Sequence, residues 1–190
     1  GSTSPSYLTL ASLDLCNRYL AEGYPQRLAE AVERLAELRE RLTAAGWRVE
    51  PSDPLRVTVA APRGVTGQEL AGQLRRQGVE CEYADRDFLV LMATPENTPE
   101  ELAQAAAALG QCPGEANPPQ LPLARGERAC SIRQAAFAPR ETVDAAHSLG
   151  RVCGLPTVGC PPAIPIAVSG ERITPEALAL FAYYGIEQVE

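Results

Sequence analysis

The chain of 190 residues carries a formal net charge of −7, with 45% hydrophobic and 22% charged residues. This balance is typical of a globular protein, and it disfavours a general binder of nucleic acid or of anionic membranes, which normally displays a basic face. Because the sequence has neither a run of about eighteen apolar residues nor a signal-peptide pattern, we predict no membrane span and no secretory leader, and we expect a cytoplasmic protein.

The first predicted element is a helix from Tyr7 to about Ala21. Ser4, Pro5 and Ser6 form its start, because they place a hydroxyl at the cap and proline in the first turn. Apolar side chains occupy most of the circumference of this helix and leave only a thin polar stripe. A helix of this kind needs burial on several sides, so we predict that a further domain or a second subunit covers it.

Leucine and valine recur every three or four residues from Pro25 to Ala45, and they predict an amphipathic helix that is ended by Gly46. The segment from Leu55 to Val59 alternates apolar with polar residues and predicts a strand. Two further helices begin at capping boxes, in which a threonine at the cap is followed three residues later by a glutamate. The capping pairs are Thr66 with Glu69 and Thr98 with Glu101, and the two helices end at Gly78 and Leu109.

Residues 79–83 and 88–93 predict two more strands around a turn. The order helix, helix, β-α-β-β-α predicts an α+β fold, in which an N-terminal helical arm precedes a small layered domain with a mainly antiparallel sheet. We place the arm at residues 1–46 and the domain at residues 47–190. The remaining predicted elements are a surface crossing over residues 111–128, a helix at about Pro139 to Leu149, a strand at about Ile164 to Val168 and a last helix from Thr174.

Hydroxyl groups gather at the start of the first predicted helix. Thr3, Ser4 and Ser6 lie where free backbone N–H groups and the helix dipole favour an anion, and no acidic residue follows before Asp14. The pattern fits a phosphate-binding site, and it also fits an ordinary capped helix.

Further polar residues have both a functional and an ordinary interpretation. Arg133 and Arg140 suit bidentate binding of a carboxylate or phosphate, and they equally suit surface cations. Glu171 is either a functional charge or half of a solvated pair with Arg172. His147 has no nucleophile beside it in the sequence, so we predict a packed or half-exposed side chain within a helix and no catalytic residue in this chain.

The six cysteines are irregularly spaced and form no CxxC pair, which disfavours a zinc site. In a cytoplasmic protein they also disfavour disulfide bonds, so we predict free thiols and no metal. Cys153 and Cys160 are expected to be inert. Both precede a proline-rich stretch, Pro161–Pro165, that forms either a rigid wall beside a site or a plain turn.

Three segments carry a family resemblance: STSPSYLTLASLD at residues 2–14, SIRQAAF at residues 131–137 and GRVCGLPTVGCPPAIPIAVSGERIT at residues 150–174. Together they resemble the C-terminal part of the Orn/Lys/Arg decarboxylase family, whose members are fold-type I enzymes that use pyridoxal phosphate. Two positions depart from the family pattern, since Ala163 stands for a glycine and Ser169 for a proline. The resemblance covers essentially the whole chain but only the last part of a family member.

The resemblance implies a basic amino-acid decarboxylase in which pyridoxal phosphate is the electron sink. It nominates Thr3 and Ser4 for contact with the cofactor phosphate across the dimer interface, and it assigns the chemistry to a large domain outside this sequence. None of the 190 residues is lysine, so the chain cannot hold the cofactor as a Schiff base. We therefore expect the chain alone to be inactive and free of cofactor, with the large domain or a second subunit as partner and an amino acid as substrate of the intact enzyme.

Two alternatives remain open. The first is a stand-alone, non-catalytic module of the same ancestry that binds a partner or a small molecule through its exposed first helix. The second is a regulatory α+β domain unrelated to the family, which senses an amino acid at a sheet edge and leaves the end segments unexplained.

Overall fold

The computed structural model describes residues 4–116, 118–156 and 164–190. The chain forms two compact units, Gly1–Pro118 and Pro119–Glu190, and each unit has its own hydrophobic core. The mixture of helices and antiparallel sheets confirms the predicted α+β class. The boundary predicted after residue 46 concerns the intact enzyme and stays a prediction. Within the described residues, no helix is both long enough and apolar enough to cross a membrane.

The first unit pairs helices with one antiparallel sheet. Its elements are α1 (Tyr7–Ala21), α2 (Tyr24–Ala44), β1 (Val49–Glu50), β2 (Arg56–Ala60), α3 (Gly67–Arg75), β3 (Tyr83–Ala84), β4 (Phe88–Met92) and α4 (Pro99–Leu109). The strand order in the sheet is β1-β2-β4-β3. The short strand β1 was not predicted. The strand predicted over residues 79–83 is reduced to β3, because the N–H of Val79 bonds to the carbonyl of Leu74 at the end of α3 and not to the sheet.

The core of the first unit lies between the sheet and its helices. Strands β2 and β4 alternate, so that one face of the sheet is buried, and α2 adds leucines at helical spacing. The main contributors to this core are Leu35, Leu38, Leu42, Val57, Val59, Leu89 and Leu91. Trp47 is also buried, and its Nε1–H donates to the carbonyl of Gly110 at 2.9 Å. The amphipathic interpretation of α2 is therefore confirmed.

Helix starts and ends in the first unit follow the local sequence closely. Both predicted capping boxes are present, since Thr66 and Thr98 each accept a hydrogen bond from the backbone N–H three residues later. Gly46 and Gly78 lie just beyond α2 and α3 with positive φ, a conformation that glycine adopts at little cost. Helix α1 has the predicted bounds, but the prediction of proline in its first turn is wrong, because the cap residue is Ser6 and Pro5 precedes it.

The second unit is smaller and has short elements. They are α5 (Ile132–Phe137), β5 (Val143–Asp144), a 3₁₀ turn at Ala145–His147, α6 (Pro175–Tyr183) and β6 (Gln188–Val189). Strands β5 and β6 pair in antiparallel register. The core of this unit is formed by Ala145, Cys153, Ala167, Ile173, Ala177, Phe181 and Val189. Helix α6 begins after Thr174, whose hydroxyl caps it as predicted.

Two predictions for the second unit are wrong. The helix predicted from Pro139 to Leu149 is replaced by β5 and the 3₁₀ turn, because this segment pairs with β6 near the end of the chain. The strand predicted from Ile164 to Val168 is absent, because the Val168 N–H and carbonyl are both used in a tight turn. Helix α5, which was not predicted as a helix, begins at a capping box of Ser131 and Gln134.

Candidate functional site

The start of α1 has few groups of its own to satisfy its first N–H groups. Ser6 is the cap residue, but its side chain makes no capping hydrogen bond, and the first turn contains no acidic residue. Ser4 precedes it and is exposed, whereas Thr3 lies outside the described residues. The helix start therefore suits contact with an anion at its edge. It does not suit a whole pyridoxal phosphate site, since the chain has no lysine.

Helix α1 exposes every one of its residues. Several of its large apolar side chains are more than half exposed, and these are Tyr7, Leu8, Leu13 and Leu15. Large exposed apolar side chains on one helix are typical of interaction surfaces.

The corner between α1 and α2 is held by one arginine. The guanidinium carbon of Arg27 lies 4.7 Å from the centre of the Tyr19 ring and 5.9 Å from that of Tyr24. Its Nη1 donates to the carbonyl of Glu22 at 2.9 Å, beyond the end of α1. Gly23 takes a φ of 82° at the bend. Stacking and hydrogen bonding thus fix the position of α1 relative to α2.

In the second unit, Gly170 lies in the family-like segment of residues 150–174. The chain around it packs between two other segments. The Gly170 N–H donates to the carbonyl of Cys153 at 2.7 Å, and the Gly170 carbonyl accepts from Ala129 at 2.8 Å and from Cys130 at 3.2 Å. Gly170 has a φ of 91°, and a Cβ at this position would lie 2.5 Å from the Cys130 carbonyl oxygen. Only glycine fits this crossing point.

Glu171 closes the turn that contains Gly170. Its N–H donates to the carbonyl of Val168 at 3.0 Å, and its Oε2 accepts from the Val168 N–H at 3.1 Å. Arg172 turns elsewhere, since its Nη1 donates to the carbonyl of Gly150 at 3.1 Å. Glu171 therefore has a local structural role, and the solvated pair with Arg172 is not formed.

A cleft of about 540 Å³ opens beside this crossing. Two ion pairs line it: Arg140 Nε lies 3.2 Å from Glu190 Oε2, and Arg151 pairs with Glu141. The Arg140 Nη1 also donates to the carbonyl of Ala136 at 3.1 Å. Of the two arginines proposed from the sequence, the structure places Arg140 in this cleft.

The other candidates lie elsewhere in the second unit. Arg133 stacks over the ring of Phe137 with its guanidinium carbon 5.2 Å from the ring centre. His147 belongs to the 3₁₀ turn and is 81% exposed in its side chain, with Nδ1 3.6 Å from Asp144 Oδ2. The prediction of a packed or half-exposed histidine in a helix is therefore wrong, because the turn directs this side chain outward.

Burial controls the thiol chemistry. Burial raises the pKa of Cys153, and the nearby negative charge of Glu171 raises it further, so this cysteine favours the unreactive thiol. The five cysteines within the described residues are free. Cys160 and the first three residues of Pro161–Pro165 lie outside those residues. The described residues contain no group of three or more His, Cys, Asp or Glu placed to hold a metal.

Comparison with solved structures shows which known fold the chain shares. The constitutive lysine decarboxylase of Escherichia coli superposes with a TM-score of 0.71 at 16% identity, over 99% of this chain and 42% of that one. The chain thus shares the α+β fold of part of a lysine decarboxylase.

Sequence comparison is more specific. The chain is 30% identical to an arginine decarboxylase of Bacillus subtilis (strain 168) over 206 aligned residues, which cover 94% of this chain and 41% of that protein. It is 28% identical to an arginine decarboxylase of Halalkalibacterium halodurans, over 94% of this chain and 41% of that protein. No protein-family model matches. The chain is therefore related to amino-acid decarboxylases, and it spans 41% of the length of these two relatives.

Sequence reasoning missed most of the charged residues of the cleft. Glu141 and Arg151 are ten residues apart and Glu190 is far from both along the chain, so no local pattern connects them. A usable signal existed for Gln134, which also lines the cleft. The sequence from Ser131 to Gln134 has the spacing of a capping box, and it marks the start of α5.

Proposed function

We propose that this chain is the C-terminal part of a pyridoxal-phosphate-dependent decarboxylase of arginine, lysine or ornithine, with a structural role at the dimer interface and at the edge of the active site. The observation that carries the proposal is the similarity to an arginine decarboxylase along 94% of this chain and only 41% of that protein. The three signature segments support it, since they extend across both units.

Pyridoxal phosphate supplies an electron sink for loss of the α-carboxylate when it is bound in such an enzyme. Thr3 and Ser4 are the residues of this chain that would contact its phosphate, from across the dimer interface. The start of α1 supports this role, because its first turn has neither an acidic residue nor a side-chain cap. The chain contributes no catalytic residue and, lacking lysine, binds no cofactor alone.

Helix α1, the first part of the arm, has a role in assembly. Every residue of this helix is exposed in the chain, although many of them are apolar. We propose that the lysine-bearing domain or a second subunit packs against it. The same surface is the specific observation that favours the alternative of a stand-alone module that docks on a separate protein.

The experiment compares the native protein from its source with the purified 190-residue chain. We expect the native protein to have a mass far above 20.3 kDa, to contain pyridoxal phosphate and to release carbon dioxide from a basic amino acid. We expect the chain alone, supplied with pyridoxal phosphate, to be inactive. Decarboxylation by the chain alone, or a native mass near 20.3 kDa without cofactor, contradicts the proposal, and the latter favours the stand-alone module.

The same intact enzyme tests the phosphate contact. Thr3→Ala combined with Ser4→Ala should weaken retention of pyridoxal phosphate about tenfold or more, since charge-assisted hydrogen bonds to phosphate are lost. Ser12→Ala is the matched control, because this serine lies within α1, beyond its first turn, and its hydroxyl donates to the carbonyl of Thr9 at 2.8 Å. Equal cofactor retention by all three proteins after dialysis contradicts the assignment of Thr3 and Ser4.

A further inference from the structure

The cleft in the second unit has the size and lining of a small-molecule site. Its volume of about 540 Å³ lies within the range of roughly 300–1,000 Å³ that is usual for ligand pockets. Its walls are mainly aliphatic, and the residues that form them include Ala135, Ala138, Val143, Val152, Ile173 and Val189. A ligand with a hydrocarbon portion therefore has a surface to pack against.

The charges of the cleft come in two opposite pairs. Arg140 and Glu141 are neighbours in sequence, but Arg140 pairs with Glu190 after β6 and Glu141 pairs with Arg151. Among the described residues that line the cleft, these four have charged side chains, two of each sign. Separated charges of both signs favour a ligand that carries both signs over a simple anion or cation.

Both ion pairs are accessible enough to exchange partners. The side chains of Arg140 and Glu190 are 36% and 39% exposed, and those of Arg151 and Glu141 are 46% and 66% exposed. Exposed ion pairs contribute little to stability, so a ligand that replaces one pair loses little by doing so. The position of the Arg140 side chain is nevertheless defined, because its aliphatic stem lies against Gly154. A Cβ at residue 154 would come within 2.9 Å of the Arg140 Cδ.

We propose that this cleft binds a free α-amino acid as its zwitterion. The α-carboxylate is held by a guanidinium of Arg140 or Arg151, the α-ammonium is held by Glu141 or Glu190, and an aliphatic side chain packs on the apolar walls. The site uses neither Thr3 nor Ser4, and the inference holds whether or not the proposed decarboxylase function does. It gives the second unit a ligand-binding role.

The pairing explains why both ligand charges are needed. A carboxylate without an ammonium group takes an arginine from its glutamate and leaves that glutamate without its partner. An amine without a carboxylate leaves an arginine in the same position. A zwitterion makes a charge-assisted contact with both members of the pair, whereas a ligand with one charge makes only one such contact.

Three probes with similar alkyl chains test, on the 190-residue chain, whether binding requires both ligand charges. They are L-norleucine, hexanoate, which lacks the ammonium group, and pentylamine, which lacks the carboxylate. We expect L-norleucine to cause saturable shifts in the backbone amide signals of Gly154 and Val189 by NMR titration. We expect the other two probes to bind about tenfold more weakly or less, because each loses one charge-assisted contact. Equal binding of all three, or no saturable shift with L-norleucine, overturns the proposal.

Variants then locate the binding groups. Arg140→Gln combined with Arg151→Gln should weaken L-norleucine binding about tenfold or more, while Arg133→Gln should leave it unchanged. Arg133 is the matched control, because it lies in the same unit, stacks on Phe137 and does not line the cleft. The amide spectrum of each variant, recorded without ligand, reports whether the second unit is folded. Unchanged binding by a folded double variant overturns the assignment of these arginines.

Discussion

Helices α1 and α2 follow each other along the chain, yet they use their apolar side chains in opposite ways. Helix α2 buries one face against the sheet, through Ala31, Leu35, Leu38 and Leu42. Helix α1 buries no residue, although its composition is the more apolar of the two. Burial within the first unit is therefore decided by the spacing of apolar residues and not by their number.

The difference has a structural consequence for assembly. The apolar residues of α2 define a single face, and one sheet satisfies that face. Those of α1 extend around most of the helix, so that a single flat surface leaves part of them uncovered. The Arg27 corner holds α1 at a defined position relative to α2. These features support the proposal that α1 is a preformed arm for a surface supplied by another domain or subunit.

The largest expected effect comes from a substitution in the buried face of α2. Leu42→Ala, at a side chain that is 1% exposed, should lower the free energy of unfolding by about 2–5 kcal/mol. Leu13→Ala, at a side chain of α1 that is 58% exposed, should change it by no more than about 0.5 kcal/mol. Urea unfolding followed by the fluorescence of Trp47, the single tryptophan and part of the same core, measures both. Similar losses in the two variants contradict the interpretation of α1 as an uncovered arm.

A smaller effect concerns how the helices begin. Thr98→Ala removes the hydroxyl that caps α4 and should cost about 1 kcal/mol of unfolding free energy. Ser6→Ala should cost less than about 0.5 kcal/mol, since the Ser6 side chain makes no capping bond. Urea unfolding of the two variants provides the measurement. A cost for Ser6→Ala that equals that of Thr98→Ala shows that the hydroxyl caps α1 in solution, which leaves less room for an anion there.

Local signals in the sequence predicted most of the first unit. Capping boxes, helix-ending glycines and leucine spacing act within a few residues, so they predicted the buried face and the end of α2 and the starts of α3 and α4. The second unit was predicted less well, because β5 exists only through its pairing with β6. The cleft could not be predicted for the same reason, since the ion pair of Arg140 with Glu190 joins distant parts of the chain.

The smallest expected effect comes from the glutamates of the two capping boxes. Hydrogen bonds from Thr66, chiefly its backbone N–H, hold the pKa of Glu69 below its ordinary value of 4.5, and those from the Thr98 backbone and from Asn97 do the same for Glu101. A pKa that is lower in the folded protein means that the carboxylate stabilises the fold above its unfolded pKa, and that this stabilisation is lost as the pH falls through the folded value.

Stability of the first unit should therefore fall slightly between the ordinary carboxyl range near pH 4.5 and more acidic conditions. Glu69→Gln combined with Glu101→Gln keeps an acceptor at each helix start but removes the titrating groups, so this variant should lose less stability over the same interval. Urea unfolding at a series of pH values, followed by Trp47 fluorescence, compares the two proteins. Helix α1 has no acidic residue in its first turn and contributes nothing to this difference. Parallel pH profiles would show that the acid sensitivity of this unit originates in carboxylates outside the capping boxes.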